Sequence, residues 1–195
     1  MGKFLENLYR ALLLGLFLMV VAVIVLHRNS VGDGPQWATY FVLYLHVFTA
    51  ILWIGLLYYF NFVQIPTMPK IPAELKPAVS NHIAPEALFW FRWAAFATIV
   101  FGLGTAQMKE PGGIIGTLSF SPGLVTIGTG MWIAIIMAAN VWFIIWPNQK
   151  KALGIVSVDT ATKAKAGRLA MLASRTNTVL SIPMLYCMIM QGGVG

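Results

Sequence analysis

One histidine, His46, lies within an apolar stretch that is long enough to cross a lipid bilayer. Trp53 follows at a distance of about two helical turns, so the two side chains share one face of a helix. An ionisable side chain within a membrane span is costly, and it usually faces the protein interior or a ligand. His46 and Trp53 therefore predict a binding site inside a membrane protein.

Counted along its helix, His46 lies about 14 Å below the outer surface, and Met131 and Met184 lie at a comparable depth in two later spans. A neutral imidazole and a thioether form a usable axial pair for haem iron. We therefore expect His46, Trp53, Met131 and Met184 to form a haem b site in which His46 is the iron ligand. The alternative is a histidine that is hydrogen-bonded to a nearby hydroxyl such as that of Ser181, since methionine is also an ordinary packing residue.

A second group of polar residues lies within the predicted spans and consists of Asn61, Arg92, Asn140, Arg175 and Asn177. Matching depths places these residues in the cytoplasmic half of the bilayer. The guanidinium fork suits a planar anion, so we expect a layer that binds a substrate or another anion. The alternative is that the arginines snorkel to the inner headgroups while the amides tie helices together. No catalytic residue is assigned.

The composition predicts an integral membrane protein. Hydrophobic residues make up 58% of the chain and charged residues 10%, whereas soluble domains contain roughly 25% charged residues. Apolar segments of about 20 residues predict five transmembrane helices, at about residues 5–27, 37–63, 86–107, 123–146 and 168–191. The expected fold class is all-α, a polytopic five-helix membrane bundle in which residues 1–195 form a single transmembrane domain.

The positions of the basic residues explain the net charge of +7 without nucleic acid as a partner. In a five-span topology most of the 13 Lys and Arg residues fall on one side, whereas only Arg28 and Lys109 fall on the other. The residues on the favoured side are Lys3, Arg10, Lys70, Lys76, Lys150, Lys151, Lys163, Lys165 and Arg168. The positive-inside rule then predicts a cytoplasmic N-terminus and an exoplasmic C-terminus.

Three segments resemble the N-terminal membrane domain of the membrane-bound bacterial urate hydroxylases. They are residues 90–95 (WFRWAA), 140–150 (NVWFIIWPNQK) and 174–184 (SRTNTVLSIPM), and the resemblance runs in order from about residue 38 to residue 191. It implies a bacterial inner-membrane protein with a redox role, the oxidation of a urate-like anion. That family carries a fused c-type cytochrome domain, but this sequence has no Cys-x-x-Cys-His motif. The resemblance therefore implies a separate c-type cytochrome as the electron acceptor.

The spacing of His46, Trp53 and Gly55 is also similar to that of the haem-containing membrane protoporphyrinogen oxidases of bacteria. This second, shorter resemblance implies haem b at His46. The three histidines and the single cysteine are too widely spaced for a zinc or copper site, so we expect no other cofactor.

Two functions remain open, and the sequence does not decide whether the protein is an enzyme. The first is a redox protein in which electrons from a urate-like anion pass through haem b to the cytochrome. The second is a non-catalytic accessory subunit of a larger membrane complex, which contributes helix–helix and lipid contacts. The expected partners are membrane lipids together with other membrane subunits or further copies of the chain.

Overall fold

The computed structural model describes residues 2–27 and 34–191, and every regular element within these residues is helical. The all-α prediction is therefore confirmed; Arg28, counted above as an outer charge, lies outside the described residues. The principal helices are α1 (Leu8–His27), α2 (Gly34–Tyr58), α3 (Ala84–Lys109), α4 (Gly113–Leu118), α5 (Val125–Asn140), α6 (Trp146–Ala152) and α7 (Thr160–Met190). Short helical turns lie at Gly2–Leu5, Ile65–Thr67, Met68–Lys70, Ala73–Leu75 and Lys76–Ala78.

Three π-helical segments adjoin the long helices, and each ends two residues before a proline. Tyr59–Gln64 precedes Pro66, Val79–Ile83 precedes Pro85, and Val141–Ile145 precedes Pro147. Proline lacks a backbone N–H, and its ring clashes with the carbonyl group four residues earlier in an α-helix. The wider π turn moves that carbonyl away from the ring, so the chain stays helical through the proline.

The contacts divide the chain into two units, Met1–Phe41 and Val42–Gly195. In the first unit, α1 has no buried residue and is apolar on all sides, which suits a helix surrounded by lipid. In the second unit, α5 and α7 form the most extensive helix pair. The core of this second unit is built around Trp53, Leu57, Phe91 and Met137. That both units belong to one transmembrane domain stays a prediction.

Four helical stretches among the described residues are long and apolar enough to cross a membrane, which indicates a membrane protein. They are Leu8–His27, Gly34–Lys70, Ala73–Lys109 and Val125–Ala152. Helix α7 is longer than a span requires but is the least apolar of the long helices, because it carries Arg175, Asn177 and several hydroxyl residues. The fifth span and the orientation in the membrane stay predictions.

Candidate functional site: a cavity at His46 and a cation at Arg92

The second unit contains a cavity of about 530 Å³ between α2, α3, α5 and α7. This volume lies within the range of roughly 300–1,000 Å³ that is usual for small-molecule and cofactor sites. His46, Trp53, Met131 and Met184 all line the cavity. The structure thus brings together the four residues for which the sequence predicted a shared cofactor site.

His46 is held by the backbone of α3. Its Nδ1 lies 2.9 Å from the carbonyl oxygen of Thr98. A carbonyl oxygen can only accept, so Nδ1 donates, and in the neutral ring Nε2 keeps its lone pair. His46 does not bond to Ser181, which receives a hydrogen bond from Tyr58 Oη (3.0 Å) and donates to the carbonyl oxygen of Thr178 (2.7 Å). Within the described residues, the imidazole Nε2 has no hydrogen-bond partner.

Gly102 allows the ring of His46 to lie against α3. A Cβ atom at position 102 would stand 2.9 Å from Cε1 and 3.0 Å from Nδ1 of His46, closer than real side chains approach. Sequence reasoning missed both Thr98 and Gly102. Thr98 acts through its backbone carbonyl oxygen, and because every residue has one, the sequence gives no signal for it. For Gly102 the signal is the glycine itself, since glycine inside a helix is unfavourable by about 0.5–1 kcal/mol.

The remaining cavity wall is mainly apolar and rich in sulfur. Met131, Met184 and Met188 contribute thioethers from α5 and α7. The hydroxyl of Thr98 is engaged by its own helix, because it donates to the carbonyl oxygen of Ala94 at 2.7 Å. An imidazole with an available Nε2 and thioether side chains are donor types that can ligate haem iron.

Arg92 lies apart from this cavity and is held by two tryptophans. Its guanidinium carbon is 3.8 Å from the ring centroid of Trp146 and 5.5 Å from that of Trp142. Cation–π contact of this kind stabilises an arginine that is only partly exposed to solvent. Two nitrogen atoms in this group, Arg92 Nη1 and Trp142 Nε1, are buried and have no hydrogen-bond partner among the described residues.

The predicted amides do not surround Arg92; they join helices in two other places. Asn140 Nδ2 donates to Asn177 Oδ1 (2.7 Å) and to the carbonyl oxygen of Ala173 (2.9 Å), while Asn177 Nδ2 donates to the carbonyl oxygen of Met137 (3.0 Å). These bonds link α5 to α7. Such bonds between helices are what we expect under the alternative interpretation, in which the amides tie helices together.

The third amide, Asn61, lies in the π segment after α2 and donates from Nδ2 to Ser174 Oγ at 2.8 Å. Arg175, the next residue along α7, is exposed and has no recorded contact with Arg92 or with the three amides in the described part of the chain. The residues of the predicted layer therefore do not form one contiguous cluster in the described part of the chain. Binding of an anion there stays a prediction.

Part of the chain is similar to a known protein family. Residues 114–192 match the model of the family described as Urate oxidase N-terminal. The predicted resemblance is confirmed over these residues. No curated protein and no solved structure matched the chain.

The matched segment, residues 114–192, supplies one wall of the cavity and the aromatic faces beside Arg92. It contains Met131 and Met184, which line the cavity, and Trp142 and Trp146, which hold the guanidinium group. His46 and Arg92 precede the segment. The match and the apolar helices together fit a urate hydroxylase-like membrane domain.

Proposed function

We propose that the protein is a membrane redox protein that binds haem b through His46 in the cavity between α2, α3, α5 and α7. The observation that carries the proposal is the hydrogen bond from His46 Nδ1 to the Thr98 carbonyl oxygen at 2.9 Å. That bond selects the tautomer whose Nε2 can ligate a metal and fixes the orientation of the ring. The same arrangement is usual for metal-ligating histidines, because an acceptor at the other ring nitrogen raises the basicity of the ligand.

The other cavity residues have defined tasks in this proposal. The thioether of Met131 or Met184 would help to hold the haem, and the apolar wall would exclude water. Haem b would supply one-electron transfer when bound. The family match supports a urate-like anion as the electron donor, and a separate c-type cytochrome is the acceptor that we propose.

The visible absorption spectrum of the purified protein tests this proposal. We expect a Soret band and reduced α and β bands in the wild type, and loss of at least half of the bound haem in His46→Ala. The matched control is His82→Ala, because His82 is exposed and lies in the π segment before α3. Iron-free wild-type protein from haem-replete cells, or equal haem content in His46→Ala and wild type, would overturn the proposal.

The accessory-subunit function keeps support from one observation on α7. Arg175 is exposed on a face that also exposes Leu172, Val179 and Ile182. Lipid chains solvate a guanidinium group poorly, whereas a partner subunit can offer a carboxylate or carbonyl group. Under this function, Arg175→Leu would dissociate a defined membrane complex, measured by native gel electrophoresis, while the isolated chain stays folded and free of haem.

A further inference from the structure

We propose that Arg92, Lys150 and the indole N–H of Trp142 form a binding site for an oxyanion, a phosphate or carboxylate-like group. This site is separate from the His46 cavity and does not depend on haem. Its ligand comes either from an anionic lipid headgroup or from a soluble anion. The two sources share one chemistry, an anion with at least two oxygen acceptors.

The first argument is charge. Arg92 and Lys150 both lie over the ring of Trp146, at 3.8 Å and 5.6 Å from its centroid. Glu86, which precedes Arg92 on α3, accepts a hydrogen bond from Trp90 Nε1 at 3.0 Å. Within the described residues, the recorded ion pair is Lys109–Glu110, which involves neither cation. Two cations that contact one aromatic ring and have no carboxylate partner favour the binding of an anion.

The second argument is the pair of unused donors. Arg92 Nη1 and Trp142 Nε1 are both withdrawn from solvent, and neither has an acceptor in the described part of the chain. A buried donor without a partner costs about 1–3 kcal/mol, more when it is charged. Cation–π contact stabilises the guanidinium charge but leaves its in-plane N–H groups free. An oxyanion supplies the acceptors that these groups lack.

The third argument is how the chain builds the site. Trp142 lies in the π segment Val141–Ile145, and Trp146 begins α6 directly before Pro147. Trp93 packs edge-on against Trp142, with ring centroids 5.5 Å apart, and so supports its orientation from α3. π segments often occur at functional sites because they redirect side chains within an otherwise regular helix. Lys150 follows Trp146 by four residues and therefore lies on the same side of α6.

The experiment compares wild type, Arg92→Gln and Arg168→Gln in lipid nanodiscs. Arg168 is an exposed arginine on α7 with no recorded side-chain contact in the described residues, so it controls for the loss of one positive charge. In one arm, native mass spectrometry measures retention of phosphatidylglycerol from discs that also contain phosphatidylcholine. In the other arm, equilibrium dialysis measures binding of urate and of inorganic phosphate to protein in discs of phosphatidylcholine alone.

We expect one arm to show binding that falls about tenfold or more in Arg92→Gln and is unchanged in Arg168→Gln, because a charge-assisted pair is lost. The responding arm identifies the source of the anion. Equal behaviour of Arg92→Gln and Arg168→Gln in both arms would overturn the proposal.

A second variant covers the case in which Arg92→Gln does not fold. Trp142→Phe keeps the aromatic face but removes the N–H donor, and we expect a loss of about threefold to tenfold in the responding arm. Helix content, measured by circular dichroism, must match that of wild type for either variant to count. Wild-type affinity in a well-folded Trp142→Phe protein would exclude Trp142 Nε1 and contradict the site as proposed.

Discussion

At the scale of single residues, the chain accommodates two ionisable groups within its apolar helices by different means. His46 donates to a backbone carbonyl group and can stay neutral. Arg92 cannot lose its proton in a protein, and its guanidinium group lies against two tryptophan rings instead. A neutral imidazole with an available lone pair suits a metal, whereas a fixed cation suits an anion. The two positions therefore favour different ligands.

The close approach of Gly102 to His46 gives a prediction at this scale. In Gly102→Ala, the new methyl group would displace the imidazole and weaken its bond to the Thr98 carbonyl, because the Cβ would lie 2.9 Å from Cε1. We expect reduced haem content and a shifted Soret maximum, measured by visible spectroscopy. Gly167→Ala is the control, since a Cβ there meets Ala152 Cβ at an ordinary 3.7 Å. Spectra that change equally in both variants would contradict this role of Gly102.

At the scale of elements, prolines mark where the helices contain π segments, and a cap decides where helix α7 begins. Each π segment ends two residues before a proline. Two of these segments carry residues described above: Asn61, which bonds to Ser174, and Trp142, which contacts Arg92. Helix α7 begins at Thr160 because Asp159 caps it: Asp159 Oδ1 accepts the backbone N–H of Thr162 at 2.9 Å. The helix thus starts earlier than the apolar segment predicted at 168–191.

The cap at Asp159 predicts a pH-dependent stability. Hydrogen bonds from the Thr162 hydroxyl and then from its backbone N–H hold the pKa of Asp159 below its usual value. A carboxylate with a lowered folded-state pKa stabilises the fold above its unfolded pKa of about 3.9, and this contribution is lost as the pH falls through the folded pKa. Thermal unfolding followed by circular dichroism should show Asp159→Ala below wild type at pH 7, with the two converging as the pH falls below about 3.9. A difference that stays constant over this range would contradict the cap.

At the scale of the whole molecule, the predicted topology separates the two candidate sites. In this topology His46 would lie in the outer half of the bilayer, about 22 Å along the helix from Asn61. Arg92 belongs to the inner half in the same topology. Under the proposed function, electrons from an anion on the cytoplasmic side would pass outward through haem b to a cytochrome on the exoplasmic side.

Cysteine labelling tests the topology. In a Cys187→Ser background, which removes the single native cysteine, we expect Lys163→Cys to be protected from a membrane-impermeant maleimide in intact cells. Ser119→Cys, in the connection before α5, should react, because the positive-inside rule places it outside. Labelling of Lys163→Cys together with protection of Ser119→Cys would invert the orientation. Equal labelling of both would mean that α5 does not cross the membrane.

The sequence by itself determined the helices and the shared site of His46 and Trp53. Apolar length predicts spanning helices, and two full turns between two residues place them on one face whatever packs against it. The sequence also predicts the depth of each residue along its helix, because the rise per residue is constant. The depth of a residue does not say in which direction its side chain points from the helix axis. Arg175 and Asn177 point in directions about 200° apart, so Arg175 is exposed while Asn177 is buried.

Only the tertiary structure decided which groups meet. The partner of His46 is a carbonyl oxygen 52 residues away, and no side-chain type identifies such an acceptor. Likewise, Arg92 meets Trp142 and Trp146 because α3 packs beside the π segment and α6, whereas the amides turn to α7. Periodicity describes one helix at a time. Contacts between helices depend on their relative rotation and spacing, which arise from packing the whole bundle.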